Sequence, residues 1–323
     1  MIIVTGGAGF IGSNLVKGLN EKGCHDIIIV DNLGQSEKYK NLIGIRFHDY
    51  MHKEDFLESI KQGRWGDEPV EAIFHQGACS DTMEYNANYM MANNYEYSKT
   101  LLQYAMHRNI PFFYASSAST YGSGAKGFTE GDVCEGALNT YAFSKLLFDR
   151  YVRQVMPSAT SQIVGLKYFN VFGPQENHKG KMASTAFHFY NQLKQGDTVR
   201  LFSAYGGYEN GEQRRDFVYV KDVVKVNLSF YEQKLTSGIY NCGTGRARSF
   251  NDMAKAVMAT QQRGRIEYIP FPDSLKGKYQ CYTQADLANL RAAGYTEEFT
   301  SLEAAVADYV KQLDQNEGYY ELC

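Results

Sequence analysis

The 323-residue sequence has few cysteines and few prolines, six of each, and no two cysteines form a CxxC pair. Disulfide frameworks and zinc ribbons need clustered cysteines, so we predict reduced thiols in a cytosolic protein. The seven histidines lack HxH and HExxH spacing, which argues against a metal site. No apolar run reaches the roughly 18 residues of a membrane span, and the apolar opening Met1–Val4 is too short for a signal peptide. The scattered cysteines are Cys24, Cys79, Cys134, Cys242, Cys281 and Cys323.

An excess of basic residues is also missing, since 33 Lys and Arg oppose 36 Asp and Glu for a net charge of −3. Nucleic-acid-binding proteins neutralise phosphates along a track of cations, so nucleic acid is excluded as a partner and a small anionic ligand remains open. The 44% hydrophobic and 21% charged residues are typical of a globular protein. The length predicts one large domain or two that pack closely together.

Short β-branched runs alternate with helical patterns, which predicts an α/β fold with a Rossmann-type, doubly wound parallel sheet. The runs are almost continuously apolar, as expected for strands buried on both faces. We predict a Rossmann domain over 1–170, with 214–244 returning to it, and a smaller α/β lobe over 171–323, mainly 171–213 and 245–323. The predicted strands of the sheet are 2–5, 26–31, 44–48, 71–75, 111–115 and 162–168, the third of them weak.

A glycine-rich turn with the spacing GxxGxxG follows the first predicted strand. Residues without Cβ let backbone amides approach a pyrophosphate at the N-terminus of the next helix, so the turn predicts dinucleotide binding. Asp31 ends the second strand, where a carboxylate accepts hydrogen bonds from the adenosine ribose of NAD. Lys38 and Lys53 follow and would neutralise the 2′-phosphate of NADP, so the residues alone leave NAD and NADP open. The glycines of the turn are Gly6, Gly9 and Gly12.

A second motif combines Tyr141 and Lys145, one helical turn apart, with Ser117 at the end of a predicted strand. A nearby ammonium stabilises a phenolate and lowers the tyrosine pKa from about 10, so that Tyr141 exchanges a proton with an alcohol. Hydride then moves between the alcohol carbon and a nicotinamide while the serine polarises the same oxygen. Two further YxxxK pairs lack such a serine: Tyr95 with Lys99, and Tyr190 with Lys194.

These motifs together resemble the extended short-chain dehydrogenase/reductase superfamily of nucleotide-sugar enzymes, as does Arg215–Asp222, which reads RDFVYVKD. Longer stretches resemble, more narrowly, the ADP-L-glycero-D-manno-heptose 6-epimerase family, over the whole chain apart from 203–213 and the extreme C-terminus. They are FHQGACS (74–80), YMMANNY (89–95), YFNVFGPQENHKGKMAS (168–184), FHFYNQL (187–193) and the segment 267–295.

The resemblance implies NADP as the cofactor, with NAD as a weaker alternative, and Tyr141 and Lys179 as the acid/base pair supported by Ser117 and Lys145. Two departures are a lysine at 181, where the family has a small polar residue, and a longer loop at 203–213. Its cofactor contacts would fall on Gly6, Gly9, Phe10, Ile11, Gly12, Asp31, Asn32, Lys38, Lys53, Gln76, Gly77, Ala78, Cys79, Ser80, Asn93, Lys145, Val171 and Lys179. Its substrate contacts would fall on Asn170, Lys181, His188, Phe202, Ser203, Ala204, Tyr205, Arg215 and Tyr279.

The reaction that the resemblance implies is inversion of C6 of ADP-D-glycero-β-D-manno-heptose through a transient 6-keto intermediate, for the inner core of lipopolysaccharide. It also implies a homo-oligomer, a homopentamer in that family, located in the cytoplasm with no nucleic-acid or membrane partner. Another NAD(P)-dependent epimerase or dehydratase of the superfamily, or a non-catalytic NADP-sensing protein, stays open. Dehydratases carry an Asp-Glu pair beside the active-site hydroxyl, whereas Ala118 and Ser119 follow Ser117; sensing proteins usually lose the tyrosine or the lysine.

Overall fold

A computed structural model describes residues 1–277 and 279–321, so that Cys323 lies outside the described residues. The strands are β1 (Ile2–Thr5), β2 (Ile27–Asp31), β3 (Asp49–His52), β4 (Ala72–His75), β5 (Phe112–Ser117), β6 (Ile163–Tyr168), β7 (Asn170–Phe172), β8 (Thr198–Phe202), β9 (Arg214–Tyr219), β10 (Gly238–Cys242), β11 (Ala247–Ser249) and β12 (Arg265–Ile269). The α-helices are α1 (Phe10–Glu21), α2 (Lys53–Lys61), α3 (Ala87–Met91), α4 (Tyr97–His107), α5 (Thr140–Val155), α6 (Thr185–Gln195), α7 (Val220–Gln233), α8 (Phe250–Gln261), α9 (Ala288–Ala292) and α10 (Leu302–Asn316). Short 3-10 helices cover Glu37–Leu42, Ala118–Tyr121, Met156–Ser158, Asn177–Met182 and Asp273–Leu275, and a π-helical turn, Ala92–Glu96, joins α3 to α4.

Within the described residues, seven parallel strands form the central sheet in the order β10-β6-β5-β4-β1-β2-β3. The chain runs outward from β1 to β3, crosses to β4 and continues outward on the other side, which confirms the doubly wound α/β fold. In such sheets, ligands bind at the carboxyl ends of the strands where the order reverses. That edge holds the glycine turn after β1, Asp31 of β2, the loop after β4 and Ser117 of β5.

Both faces of the central sheet are buried, because helices cover each of them. Val4 of β1 packs in one apolar cluster with residues of α1 and α7, whereas its neighbour Ile3 packs in another with residues of α4 and α5. Successive side chains of a strand point to opposite faces, so a strand covered on both sides needs apolar residues at every position. This explains the continuous apolar runs in the sequence.

The smaller lobe contains a three-stranded sheet, β11-β9-β7, and the parallel pair β12-β8. Helices α6, α8 and α10 contribute Phe189, Val257 and Val310 to a core that is separate from those of the central sheet. The chain leaves the central sheet after β6 and returns to it at β10, whereas β9 belongs to the three-stranded sheet. The segment between β6 and β10 therefore contributes both to the domain of the central sheet and to the smaller lobe.

The predicted third strand at 44–48 is wrong, because β3 lies at Asp49–His52. Ile45 and Phe47 pack against the core from a loop, while β3 is a partly exposed strand that pairs only with β2 at the edge of the sheet. An edge strand with an exposed face needs little apolar surface, so the hydrophobic pattern pointed to the wrong segment.

Among the described residues no helix is long and apolar enough to cross a membrane, and the five described cysteines are free.

Candidate active site

A cavity of about 1170 Å³ opens at the carboxyl ends of the central strands and is lined by residues of both parts of the fold. The predicted site residues that line it are Gly6, Gly9, Phe10, Ile11, Gly12, Asp31, Lys38, Gln76, Gly77, Ala78, Ser80, Ser117, Tyr141, Lys145, Asn170, Val171, Lys179, Lys181, His188, Phe202, Arg215 and Tyr279. The predicted site residues that do not line it are Asn32, Lys53, Cys79, Asn93, Ser203, Ala204 and Tyr205.

The glycine turn has a conformation that only residues without Cβ allow. Gly6 has a φ of +67°, and a Cβ on it would lie 2.6 Å from the backbone nitrogen of Gly77. A Cβ on Gly12 would overlap the carbonyl oxygen of Gly6. Gly9 precedes α1 and provides no side-chain cap, so the first amides of α1 stay available to an anion.

The carboxylate of Asp31 is buried and already has several donors. Its Oδ2 accepts from the backbone N–H of Ala8 at 2.9 Å, and its Oδ1 accepts from Asn32 N–H at 2.6 Å and from Lys38 Nζ at 2.8 Å. The Lys38 ammonium also donates to the Asn32 carbonyl at 2.7 Å. Asp31 therefore anchors the glycine turn, and Lys38 carries its positive charge to the cavity wall beside it.

Three other predicted cofactor residues lie behind the cavity lining. Lys53 donates to Asn93 Oδ1 at 2.5 Å instead of reaching Asp31. The backbone of Cys79 pairs with the buried Asn94, whose Oδ1 accepts from Cys79 N–H at 2.8 Å and whose Nδ2 donates to Cys79 O at 2.9 Å. Asn94 was not predicted, and its role is to hold the loop after β4 in place.

Gln76, the first residue after β4, gives a test of whether a dinucleotide fits. Its Oε1 accepts from the Tyr168 hydroxyl at 3.0 Å, but its buried Nε2 has no hydrogen-bond partner among the described residues. Leaving a buried donor unpaired is costly. The unpaired amide at the cavity wall, the glycine turn and the open N-terminus of α1 together fit the polar groups of a nicotinamide dinucleotide.

The Ser117, Tyr141 and Lys145 side chains line the same wall of the cavity. Burial raises the pKa of Tyr141, while the nearby Ser117 hydroxyl lowers it. The predicted lowering of the Tyr141 pKa is not found, because burial outweighs the effect of the serine. The Lys145 ammonium donates to the Ala115 carbonyl at 2.8 Å. Burial lowers the pKa of Lys145 to about 8. Tyr141 is therefore protonated here and is oriented by the serine.

Lys179 lies on the 3-10 helix Asn177–Met182, away from Tyr141 in the chain but in the same cavity. Its ammonium lies 4.8 Å from the centre of the Phe10 ring and 3.8 Å from the nearest oxygen of Glu176. Burial lowers its pKa, and the charge of Glu176 opposes that effect. A lysine whose pKa is lowered from its ordinary value gives up its proton more readily, which suits it to general acid–base chemistry.

Glu176, which was not predicted, holds the Lys179 segment against the smaller lobe. It is fully buried and accepts hydrogen bonds from the Ser184 hydroxyl at 2.6 Å and from the Tyr309 hydroxyl of α10 at 3.0 Å. The carbonyl of Gly318, after α10, accepts from Gln175 N–H at 2.8 Å. The C-terminal part of the described chain therefore fixes the position of the lysine.

His178 also lines the cavity and was not predicted as part of the site. Its Nδ1 lies 3.2 Å from the Nδ2 of Asn41, which is buried and also donates to the carbonyl of Ala8. Burial, with the charges of Lys38 and Lys179, lowers the pKa of His178 to about 4. The histidine is therefore neutral near pH 7. Its place directly before Lys179 was the only signal in the sequence.

Arg215 of β9 brings a positive charge to the cavity lining. It is buried, and its guanidinium lies 4.8 Å from the centre of the Tyr279 ring. Its guanidinium donates to the carbonyl of Arg214 at 2.9 Å, and no ion pair with a carboxylate is found for it among the described residues. A buried guanidinium without a carboxylate partner is suited to a phosphate group.

In the loop at 203–213, Gln213 lines the cavity, whereas Ser203, Ala204 and Tyr205 do not. The ring of Tyr205 stacks on Phe271 with 3.9 Å between centroids, and its hydroxyl accepts from Gly277 N–H at 2.8 Å. Ala204 N–H donates to Asn210 within the loop. Phe202, at the end of β8, lines the cavity in this region.

Comparisons with known proteins agree with this fold and cavity. The model of the NAD dependent epimerase/dehydratase family matches residues 2–243. The chain is 31% identical to ADP-L-glycero-D-manno-heptose-6-epimerase of Helicobacter pylori, with a TM-score of 0.83 over 97% of this chain and 96% of that one. It is 26% identical to UDP-glucose 4-epimerase of Thermotoga maritima, with a TM-score of 0.82 over 98% and 99%. UDP-N-acetylglucosamine 4-epimerase of Methanobrevibacter ruminantium shares the fold at 23% identity, with a TM-score of 0.82 over 97% and 98%.

Proposed function

The chain belongs to the NAD-dependent epimerase/dehydratase family, and from this we propose that it inverts C6 of the heptose in ADP-D-glycero-β-D-manno-heptose to give the L-glycero epimer. One observation carries the proposal: Tyr141 and Lys179, on separate elements, line one cavity. The likeness to the Helicobacter pylori enzyme supports the same substrate. The role would be in lipopolysaccharide inner-core synthesis in the cytoplasm, by a homo-oligomer.

The first half of the reaction removes the proton of the C6 hydroxyl and the hydride on C6. A nicotinamide, when bound on the glycine turn, supplies the acceptor and later the donor of a hydride. Tyr141, oriented by Ser117, would take the proton of the C6 hydroxyl in its phenolate form, which positive charge near its oxygen favours over the buried phenol, and a ketone is left. The Lys145 ammonium, held by the Ala115 carbonyl, is the group of this chain that would supply such charge.

The second half needs an acid on another side of the substrate. C6 lies outside the pyranose ring, so rotation about the C5–C6 bond presents the opposite face of the ketone without release of the sugar. The oxygen then points away from Tyr141. Lys179 has a lowered pKa and faces the cavity, so it is suited to give a proton to that oxygen. Arg215 would hold the diphosphate during the rotation.

We also propose NADP as the preferred cofactor. Asp31 is engaged by Ala8, Asn32 and Lys38, which leaves it poorly suited to accept hydrogen bonds from a ribose. The Lys38 ammonium at the cavity wall is suited to a 2′-phosphate.

Lys38→Ala is expected to weaken NADP binding by roughly 10- to 100-fold, because a charge-assisted phosphate contact contributes about 1.5–3 kcal/mol. NAD binding should change little. Isothermal titration with both dinucleotides measures the two effects. Lys40→Ala is the control, since Lys40 lies on the same 3-10 helix but pairs with Glu37 at 2.9 Å. Equal losses for NADP and NAD would contradict the assignment of Lys38.

Turnover in deuterated water is expected to leave C6 without deuterium, because the hydride that leaves C6 is the one that returns. The substrate has no carbonyl that would acidify an adjacent C–H, so exchange with solvent has no route. Proton NMR of the product after complete conversion measures the label. Deuterium at C6 would show deprotonation at carbon and rule out the oxidation mechanism.

The function itself is tested by offering the purified protein ADP-D-glycero-β-D-manno-heptose, UDP-glucose and UDP-N-acetylglucosamine in parallel. NMR of the products separates inversion at C6, inversion at C4 and loss of water. We expect C6 inversion of the ADP-heptose and no turnover of the UDP-sugars. Turnover of a UDP-sugar alone would assign the protein to another activity of the family, and binding of NADP without any turnover would indicate a sensing protein.

A further inference from the structure

A buried network of charged side chains lies beneath α5 and takes no part in the mechanism above. Lys167 of β6 donates to Asp149 of α5 at 2.6 Å and lies 3.0 Å from Glu135, and none of the three side chains has exposed surface. Arg153 holds Glu135 through two hydrogen bonds. Burial of charges is costly, and an apolar replacement is often no less stable. The place of this network beside the site therefore points to a role in the chemistry.

Asp149 connects the helix of Tyr141 to the strand of Ser117. It stands eight residues after Tyr141 and four after Lys145, so the three share one face of α5. Its Oδ2 accepts from the Ser116 hydroxyl at 2.7 Å. Its Oδ1 accepts from the Tyr114 hydroxyl, also on β5, at 2.9 Å. Because Ser116 directly precedes Ser117, these bonds fix the distance between the two reacting hydroxyls.

We propose that Asp149 is a positioning residue, which clamps α5 against β5 so that Tyr141 meets Ser117, and which keeps the Lys145 ammonium charged. Lys167 holds the Asp149 carboxylate from the next strand, where it lies opposite Ser116 in the β5–β6 register. The inference rests on the proposed function only in that Tyr141 and Lys145 act on a substrate alcohol.

The charge of Asp149 matters because Lys145 is buried. Burial lowers the pKa of Lys145 to about 8, and the Asp149 carboxylate opposes this effect. Burial raises the pKa of the Cys79 thiol and of the Tyr141 phenol, and it lowers the pKa of the His75 imidazole to about 3. These three groups are therefore neutral near pH 7. Lys145 is charged below its pKa and loses its proton above it. The other titratable groups around Lys145 are Tyr141 on α5, Cys79 after β4 and His75 of β4.

The test compares the pH dependence of turnover in Asp149→Asn and in Glu135→Gln. Both variants remove one buried negative charge from the same network, but only Asp149 acts on Lys145. Turnover should fall above about pH 8 in the parent. In Asp149→Asn this fall should move to lower pH by roughly one unit, whereas in Glu135→Gln it should stay in place. No movement in Asp149→Asn, or equal movement in both, would overturn the proposal.

A second measurement needs no substrate, so it separates this inference from the heptose assignment. NMR titration of ¹³C-labelled lysine, with the Lys145 resonance assigned from Lys145→Met, reports the Lys145 pKa directly. A lower value in Asp149→Asn supports the proposal and an unchanged value overturns it. If Asp149→Asn does not fold, Ser116→Ala serves as the second variant, because it removes one hydrogen bond to Asp149 and keeps the negative charge of Asp149. We then expect lower turnover with an unchanged KM, and the fall of turnover at high pH should stay at the parental pH. Parental turnover would overturn the proposal that Asp149 clamps α5 against β5.

Discussion

Tyr141→Phe and Lys179→Met are each expected to lower epimerisation by at least about 10²-fold, the range in which general acid–base groups contribute. Tyr141 lies on α5 and Lys179 on the 3-10 helix Asn177–Met182, and both side chains line one cavity. In the proposed mechanism each group serves the hydroxyl of one epimer, so the loss of either would block a complete inversion. Turnover at saturating ADP-heptose, followed by product NMR, measures the effect.

The double variant should be far less impaired than the product of the two single effects, since both groups act on one reaction coordinate. Tyr95→Phe and Lys99→Met are matched controls, because they change another YxxxK pair. Tyr95 packs edge-on against Tyr151, and Lys99 lies over both rings. Near-parental turnover of Lys179→Met, or an effect confined to KM, would contradict the two-group mechanism. Such a result would indicate that Lys179 binds a phosphate group instead.

Lys167→Met is expected to lower the free energy of unfolding by about 3–5 kcal/mol, the usual effect of removing one partner from a buried ion pair. The side chains of Lys167, Asp149 and Glu135 have no exposed surface. Arg153 still compensates Glu135, but Asp149 loses its cation and is left buried with hydroxyl partners. Urea denaturation monitored by circular dichroism measures the change.

Lys22→Met is the control for the stability experiment. Lys22 pairs with Glu232 at 3.2 Å, but the two side chains are 58% and 39% exposed, so its loss should cost no more than about 1 kcal/mol. A similar small loss for Lys167→Met would mean that the buried network contributes little to folding. The role of the network in holding Asp149 beside Lys145 would then be tested only by the pH dependence of turnover.

The sequence was most informative where chemistry demands a particular residue type at a fixed spacing. Gly6 and Gly12 are required because Cβ atoms at these positions would meet the backbone. The contacts of Ser117 and Tyr141 follow from a strand and a helix whose patterns are both strong. Five of the seven strands of the central sheet were predictable for the same reason, since strands buried on both faces are almost continuously apolar, whereas β3 was placed at the wrong residues and β10 was not predicted.

The rest of the site depends on contacts that no local pattern encodes. Lys53 is close enough to Asp31 in the sequence to suggest a joint role, but its ammonium is taken by Asn93, 40 residues later. The pKa of Tyr141 is set by burial, which spacing does not report. Glu176 gave no signal because its partners, among them Tyr309, lie on a helix far along the chain.

The support of Lys179 by α10 has a consequence for the order in which the protein is made. Glu176 and Tyr309 are 133 residues apart in the chain. Ribosomes add about 5–20 residues per second, so roughly 7–27 s separate the synthesis of the two partners. The glycine turn, Ser117 and Tyr141 are translated before either. In terms of the proposed mechanism, a nascent chain therefore acquires the groups for oxidation first, and the contacts that fix Lys179 form only after α10 has left the ribosome.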